Sequence, residues 1–188
     1  MQLDEVQPLP HAESWVHAAY TMGCKAGGGS FSLVLDSDLA GHVVKLTQST
    51  VAYKALVHFS GTSSHFPQVI KYATNQATGK GRTPFHALLM EKVDAKLCPE
   101  TEAITRYLGR QESRTRPFGL YKVVNELMNR RLDYPESLML AIKALAAYAQ
   151  HNFLRVELHE RSNWGKRADG TLVMLDLVQT DEEMGEDL

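Results

Sequence analysis

"GCKAGGGSFSLVLDSDLAGHVVKLT", residues 23 to 47, decides how the rest of the chain is read. Three consecutive glycines lead into a Ser-Phe-Ser, a short apolar run, a polar turn and a second apolar run that carries one lysine. Apolar, β-branched stretches of this length, separated by turn residues, read as neighbouring strands. A glycine turn beside a strand lets backbone N–H groups approach a polyphosphate without side-chain interference, and a lysine on the next strand can reach the phosphates as a point charge. Gly27 and Gly29, with Gly28 between them, and Ser32 match the spacing G-x-G-x-x-G with serine at the third position; Lys45 is the strand lysine. The same residues also suit a flexible hairpin tip and a solvated edge lysine, so the stretch needs support from elsewhere in the chain.

Working outward, further strands are expected at 68 to 74 ("QVIKYAT") and 85 to 93 ("FHALLMEKV"). "STVAYKALVHFSG" (49 to 61) interrupts them with helical spacing, Ser49 or Thr50 as cap and Gly61 as stop. "TNQATGKGRTP" (74 to 84) reads as a loop joining two antiparallel strands; no helix opens after its Gly79-Lys80-Gly81, so it lacks the context of a phosphate loop. From residue 99 the pattern turns helical, at 99 to 109, 119 to 131 and 134 to 153, with Pro135 suited to a first turn. Residues 155 to 178 read as loop, strand, a turn at Asp169-Gly170, and strand, and the tail "DEEMGEDL" holds five acids in eight residues.

Composition narrows the classes. At 188 residues and 44% hydrophobic the chain can bury a core, and 20 Lys+Arg against 22 Asp+Glu give no reason to expect a nucleic-acid or anionic-membrane partner. The acidic, proline-broken opening "MQLDEVQPLPHAESW" predicts neither a secretory signal nor a spanning helix, and hence a cytoplasmic protein. Cys24 and Cys98 have no C-x-x-C pairing and no histidine at ligand spacing, which points to two free thiols.

Support for the opening stretch comes from "ELHERSNWGKRADGTLVMLDLV" (157 to 178). It holds an acid (Glu157), a histidine (His159), a polar pair (Ser162, Asn163) and, after a hairpin turn and an apolar strand, a second acid (Asp176). Phosphoryl transfer needs a carboxylate to orient or deprotonate the acceptor hydroxyl, and oxygen ligands from a second carboxylate and an amide to hold magnesium on the phosphates. Those groups occur here in that order.

The succession of glycine loop, strand lysine, helix, hairpin, "LLMEKVDA", helices, acid-x-His loop, apolar strand and Asp resembles the protein-kinase-like family. It is most similar to the small serine/threonine protein kinases encoded by short-tailed bacteriophages. Their "G-x-G-x-F-S" and "D-x-H-x-x-N…D-P-V" stand against "GGGSFS" and "ELHERSN…DLV" here, over roughly residues 23 to 178. The resemblance implies an α+β, two-lobe fold: an antiparallel-sheet N-lobe with its extension (1–94), a reduced helical C-lobe (95–180) and an acidic tail (181–188). It implies ATP and Mg²⁺ as cofactors, with Gly27, Gly28, Gly29 and Ser32 over the phosphates and Lys45 in contact with them. Met90 to Val93 would form the adenine-facing hinge, with Glu91 and Val93 as its binding residues. Glu157 would be the catalytic acid, with His159 and Lys45 completing the catalytic set, and Asp176 with Asn163 or Ser162 would hold the metal. The enzyme would be phage-encoded and act on host proteins in the host cytoplasm.

The chain departs from the family pattern in several places. Glutamate replaces the usual catalytic aspartate, strict H-x-x-N spacing lands on Ser162, and the helix at 49 to 61 has no acid to pair Lys45. Only 12 residues follow Asp176. Two alternatives therefore stand beside a protein kinase: a pseudokinase-like module that binds and regulates a partner protein, and a small-molecule phosphotransferase, whose acid-x-His loop resembles that of the aminoglycoside and choline kinases. Residues 106 to 131 carry seven Lys/Arg against two Glu, a candidate docking patch for an acidic partner.

Overall fold

Strand residues dominate the first described half because β-branched and large apolar side chains recur there without a helical period. The computed structural model describes residues 32–76, 85–95, 98–112 and 134–180. Several expectations lie outside them: the free thiol of Cys24, the glycine run at 27–29, the Gly79-Lys80-Gly81 loop, the helix at 119–131, most of the basic stretch at 106–131, and the acidic tail at 181–188.

Four antiparallel strands form one sheet in the order β1-β2-β4-β3: β1 (Ser32–Asp36), β2 (His42–Thr47), β3 (Val69–Gln76) and β4 (Phe85–Glu91). β2 and β4 are the inner strands, and Val44, Leu46, Ala87 and Leu88 are wholly buried. Burial on both faces explains why they read as continuous apolar runs instead of alternating ones. Gly41, with φ of 76°, closes the tight connection from β1 into β2, a conformation that costs a side-chain-bearing residue energy.

Between β2 and β3 lies α1 (Thr50–Phe59), and of the two expected caps Ser49 is the one used: its hydroxyl accepts from the Ala52 N–H at 3.1 Å. Ala52, Tyr53, Ala55, Leu56 and Phe59, three and four apart, give the buried face. Tyr53 stacks on His86 of β4 at 4.6 Å between ring centroids, which fixes α1 against the sheet face that also carries Thr47 and Lys45.

After β4 the chain runs to a 3₁₀ turn (Pro99–Thr101) and α2 (Glu102–Glu112), so the helix expected from residue 99 begins three residues later, behind a turn opened by proline. α3 (Glu136–His151) follows, with Pro135 just ahead of its first turn and Leu138, Ile142, Leu145 and Ala149 along its buried stripe. Phe153 ends it with φ of 56° and turns the chain into β5 (Arg155–Val156). β6 (Trp164–Lys166) and β7 (Leu172–Met174) form the expected hairpin, and Gly170 supplies the left-handed residue of its turn. The sequence reading contained no counterpart of β8 (Val178–Gln179), which returns to pair with β5. Two-residue strands carry too little periodicity to be read.

The arrangement is mixed α+β, with one antiparallel sheet and few helices. A single apolar core joins α1, α3 and the short strands through Leu56, Phe66, Ile104, Ile142, Trp164 and Val178. Trp164 is fully buried and its indole N–H donates to the Leu158 carbonyl at 3.0 Å, so its polar edge is satisfied. Among the described residues no helix is long and apolar enough to cross a membrane.

The expected hinge at 90 to 93 is only half a linker, because Met90 and Glu91 still belong to β4. Beyond it, Asp94 and Lys166 exchange backbone hydrogen bonds at 3.2 and 2.8 Å, which ties the segment after β4 to β6. Gly165 makes this approach possible: a Cβ there would stand 2.7 Å from Val93 Cγ1, 3.1 Å from Leu175 Cδ1 and 3.2 Å from the Asp94 carbonyl oxygen. Gly165→Ala is expected to destabilise the protein by about 1–3 kcal/mol, since a main-chain oxygen cannot move aside as a side chain can. Urea unfolding measures this, and an unchanged midpoint would show that the approach is not tight.

Candidate functional site

Lys45 occupies the inner strand β2, opposite Val34 of β1 and Leu88 of β4, and is 4% exposed. A lysine buried that deeply requires a partner. Its ammonium lies 2.9 Å from Asp176 Oδ1 and donates to the Leu175 carbonyl at 3.3 Å. The Asp176 contact is coulombic more than directional, because Oδ1 meets no donor in hydrogen-bond geometry among the described residues. α1 ("TVAYKALVHF") contains no acid, and among the described residues the anion paired with Lys45 comes from the far end of the chain. An edge-strand, solvated Lys45 is thereby ruled out.

Asp176 is held by main-chain bonds on both sides. The Leu175 N–H donates to the Asn163 carbonyl at 2.7 Å, and the Glu157 N–H donates to the Leu177 carbonyl at 3.2 Å. The side-chain amide of Asn163 donates to the Glu157 carbonyl at 2.9 Å. A carbonyl only accepts, so the amide nitrogen faces Glu157 and the oxygen, a hard ligand atom, faces elsewhere. Glu157, Asn163 and Asp176 are thus clasped together, Glu157 half-buried one residue past β5. Ser162 is exposed in the 3₁₀ turn Arg161–Asn163 and makes no such tie, so Asn163 is the better placed of the two. His159 is half-buried, with Nε2 3.3 Å from Glu160 Oε1.

Lys45 also lines a cavity of about 300 Å³, walled by Val34, Val43, Met90, Val93 and Leu175. The volume is at the small end of ligand pockets, and the walls are largely apolar with one buried cation. Ser32 begins β1 opposite Thr47, two positions along the register from the Val34–Lys45 pair. The three glycines lie outside the described residues.

Glu91 also lines the cavity beside Lys45. Its carboxylate does not face a ligand: Arg167 Nε and Nη2 donate to it at 2.9 and 2.5 Å, and the Gln68 N–H donates at 2.7 Å. Arg167 also reaches the carbonyls of Ser64 and Phe66, joining β4, the turn before β3 and the β6–β7 hairpin. The sequence carried no signal for this tie, because Arg167 sits in a turn 76 positions from its acid. Of the basic stretch, Arg106 pairs with Glu102 one helical turn away and is partly neutralised, while residues 113–131 lie outside the described residues.

No protein-family model matches the sequence and no curated protein is significantly similar to it, so the site stands on its geometry. That geometry makes two measurable demands. Lys45→Met and Asp176→Asn, each destabilising alone, should show a coupling of about 1–3 kcal/mol in a double-mutant cycle of urea unfolding, whereas additive effects would break the pair. The second concerns Glu91. Burial pushes its carboxyl up, but the hydrogen bonds from Arg167 and Gln68 and the Arg167 charge outweigh this and hold it below its ordinary value. The contribution to stability is present above the ordinary carboxylate pKa and lost as pH falls through the lowered one. Glu91→Gln should therefore flatten the acid limb of a stability–pH curve, and an undiminished limb would contradict the tie.

Proposed function

We propose that the chain is an ATP-dependent phosphotransferase, a minimal and divergent serine/threonine protein kinase of the two-lobe, protein-kinase-like fold. The observation that carries the reading is the meeting of Lys45 and Asp176, from opposite ends of the described chain, on the wall of an apolar cavity. The strand order with a helix between β2 and β3, and the clasp of Glu157 and Asn163 around Asp176, support it.

In this reading Val34, Val43, Met90 and Leu175 enclose a flat heterocycle, and Lys45 is the point charge for its phosphates. Val93 lies beside the base; Glu91, with its carboxylate committed to Arg167, contributes through its main chain alone. Among the described residues no cluster of three or more His, Cys, Asp or Glu is gathered for a resident metal. That donor set fits Mg²⁺, which binds through one or two protein oxygens plus substrate phosphates. Asp176 and the amide oxygen of Asn163 would hold the ion, which neutralises charge on the transferring phosphate. Glu157 orients the acceptor hydroxyl of a protein substrate and takes its proton, and the clasp keeps it in register with Asp176. His159 positions the loop.

One observation favours the second reading, a pseudokinase-like module that binds and regulates a partner protein. Lys45 already lies 2.9 Å from Asp176 as an ion pair, so a nucleotide phosphate must compete with Asp176 for the ammonium.

Asp176→Ala should abolish Mg²⁺-dependent ATP binding and transfer together. Glu157→Gln should leave ATP affinity nearly unchanged and lower transfer by about 10²-fold or more. Radiolabel transfer to the protein itself or to a generic basic protein measures both, with ATP binding followed by calorimetry. Equal label from wild type and Glu157→Gln would remove Glu157 from catalysis. ATP binding without label in wild type would select the module.

A further inference from the structure

His65 and Ser137 play no part in the nucleotide site, yet they form the most chemically specific pair elsewhere in the described structure. His65 lies in the turn between α1 and β3 and is 4% exposed. Its Nδ1 is 2.8 Å from the Leu172 carbonyl oxygen and its Nε2 is 2.9 Å from Ser137 Oγ. The carbonyl can only accept, so Nδ1 donates to it, which leaves Nε2 as the ring nitrogen that meets the serine hydroxyl. A base within hydrogen-bond reach of a hydroxyl, itself oriented by a third group, is the arrangement of an activated nucleophile.

Ser137 is exposed where His65 is not. It is the second residue of the 16-residue helix α3. The N–H groups of Leu138 and Met139 both donate to the Pro135 carbonyl, at 3.0 and 3.3 Å. Those of Glu136 and Ser137, in the first turn, have no acceptor within the helix. Both partners line a cavity of about 690 Å³ with Tyr134, Leu138 and Thr171. Among the described residues lining it, Glu100 and Asp169 are acidic and none is lysine or arginine, so an anionic substrate is disfavoured and an uncharged one can enter.

We propose that Ser137 and His65 form a nucleophilic dyad that hydrolyses small neutral carboxylic esters in this cavity. Ser137 Oγ bonds to the ester carbonyl carbon while its proton passes to His65 Nε2. His65 returns that proton to the departing alcohol, and the acyl group stays on Ser137. Water then adds its oxygen to the acyl carbon and gives a proton to Nε2, which passes it to Ser137 Oγ as the carboxylic acid leaves. The Leu172 carbonyl fixes ring and tautomer where a triad uses a carboxylate; being neutral, it stabilises the imidazolium less, so turnover is slow.

The full chain treated with a fluorophosphonate probe and mapped by peptide mass spectrometry tests this. Wild type should carry the adduct on Ser137, and His65→Gln should react about 10²-fold more slowly or worse. Hydrolysis of p-nitrophenyl acetate should fall to the background of free amines in Ser137→Ala, whose exposed position on a helix surface preserves the fold. Folded wild type without an adduct on Ser137 would overturn the proposal, as would adduct formation in folded His65→Gln at the wild-type rate. Should His65→Gln fail to fold, the ester assay decides: equal rates for wild type and Ser137→Ala would reduce the pair to a structural tie.

Discussion

The ion pair between Lys45 and Asp176 is the constraint around which the described structure is organised. An ammonium on an inner strand, 4% exposed, is costly unless an anion is brought to it. α1, the element nearest in sequence, contains no acid. The anion therefore arrives with the last described segment, and that segment has to be held firmly. The main-chain bonds at Leu175 and Leu177 hold it, as does the β5–β8 pairing just beyond. A buried pair of this kind is weak evidence for stability, since desolvation offsets much of the attraction. Its persistence is better explained by a use for the two charges.

The same segment shapes the cavity. Leu175, next to Asp176, forms part of its wall, and Gly165 lets β6 come close to Val93, Leu175 and the Asp94 carbonyl. Arg167, two residues on, reaches back to Glu91 and to the carbonyls before β3. Residues 155 to 180 thus supply the anion of the site, one wall of its cavity and the tie to the sheet.

Much of this was legible in the sequence, unevenly. Long elements with a strong period were readable: α1 with its Ser49 cap, α3 with its stripe of Leu and Ala, and the hairpin around Asp169-Gly170. Lys45 and Asp176 were singled out because the chemistry of phosphate binding needs a cation and a carboxylate, and no local pattern said that they would touch. The tie between Glu91 and Arg167 could not be read from "LLMEKV", because the partner lies 76 residues away. The β5–β8 pair and the His65–Ser137 contact escaped for the same reason, since long-range pairs leave no periodicity in the segments that make them. Asn163 could be preferred over Ser162 only once its amide was seen to face Glu157.

Labelling with an acyl-phosphate derivative of ATP tests the central claim most directly, because the reagent acylates whichever lysine lies beside the bound phosphates. Mapping the modified peptides should find the label concentrated on Lys45 and suppressed by excess ATP with Mg²⁺. Label spread over surface lysines such as Lys54 and Lys71, with Lys45 unmodified and no protection by ATP, would contradict a nucleotide site built on Lys45 and Asp176.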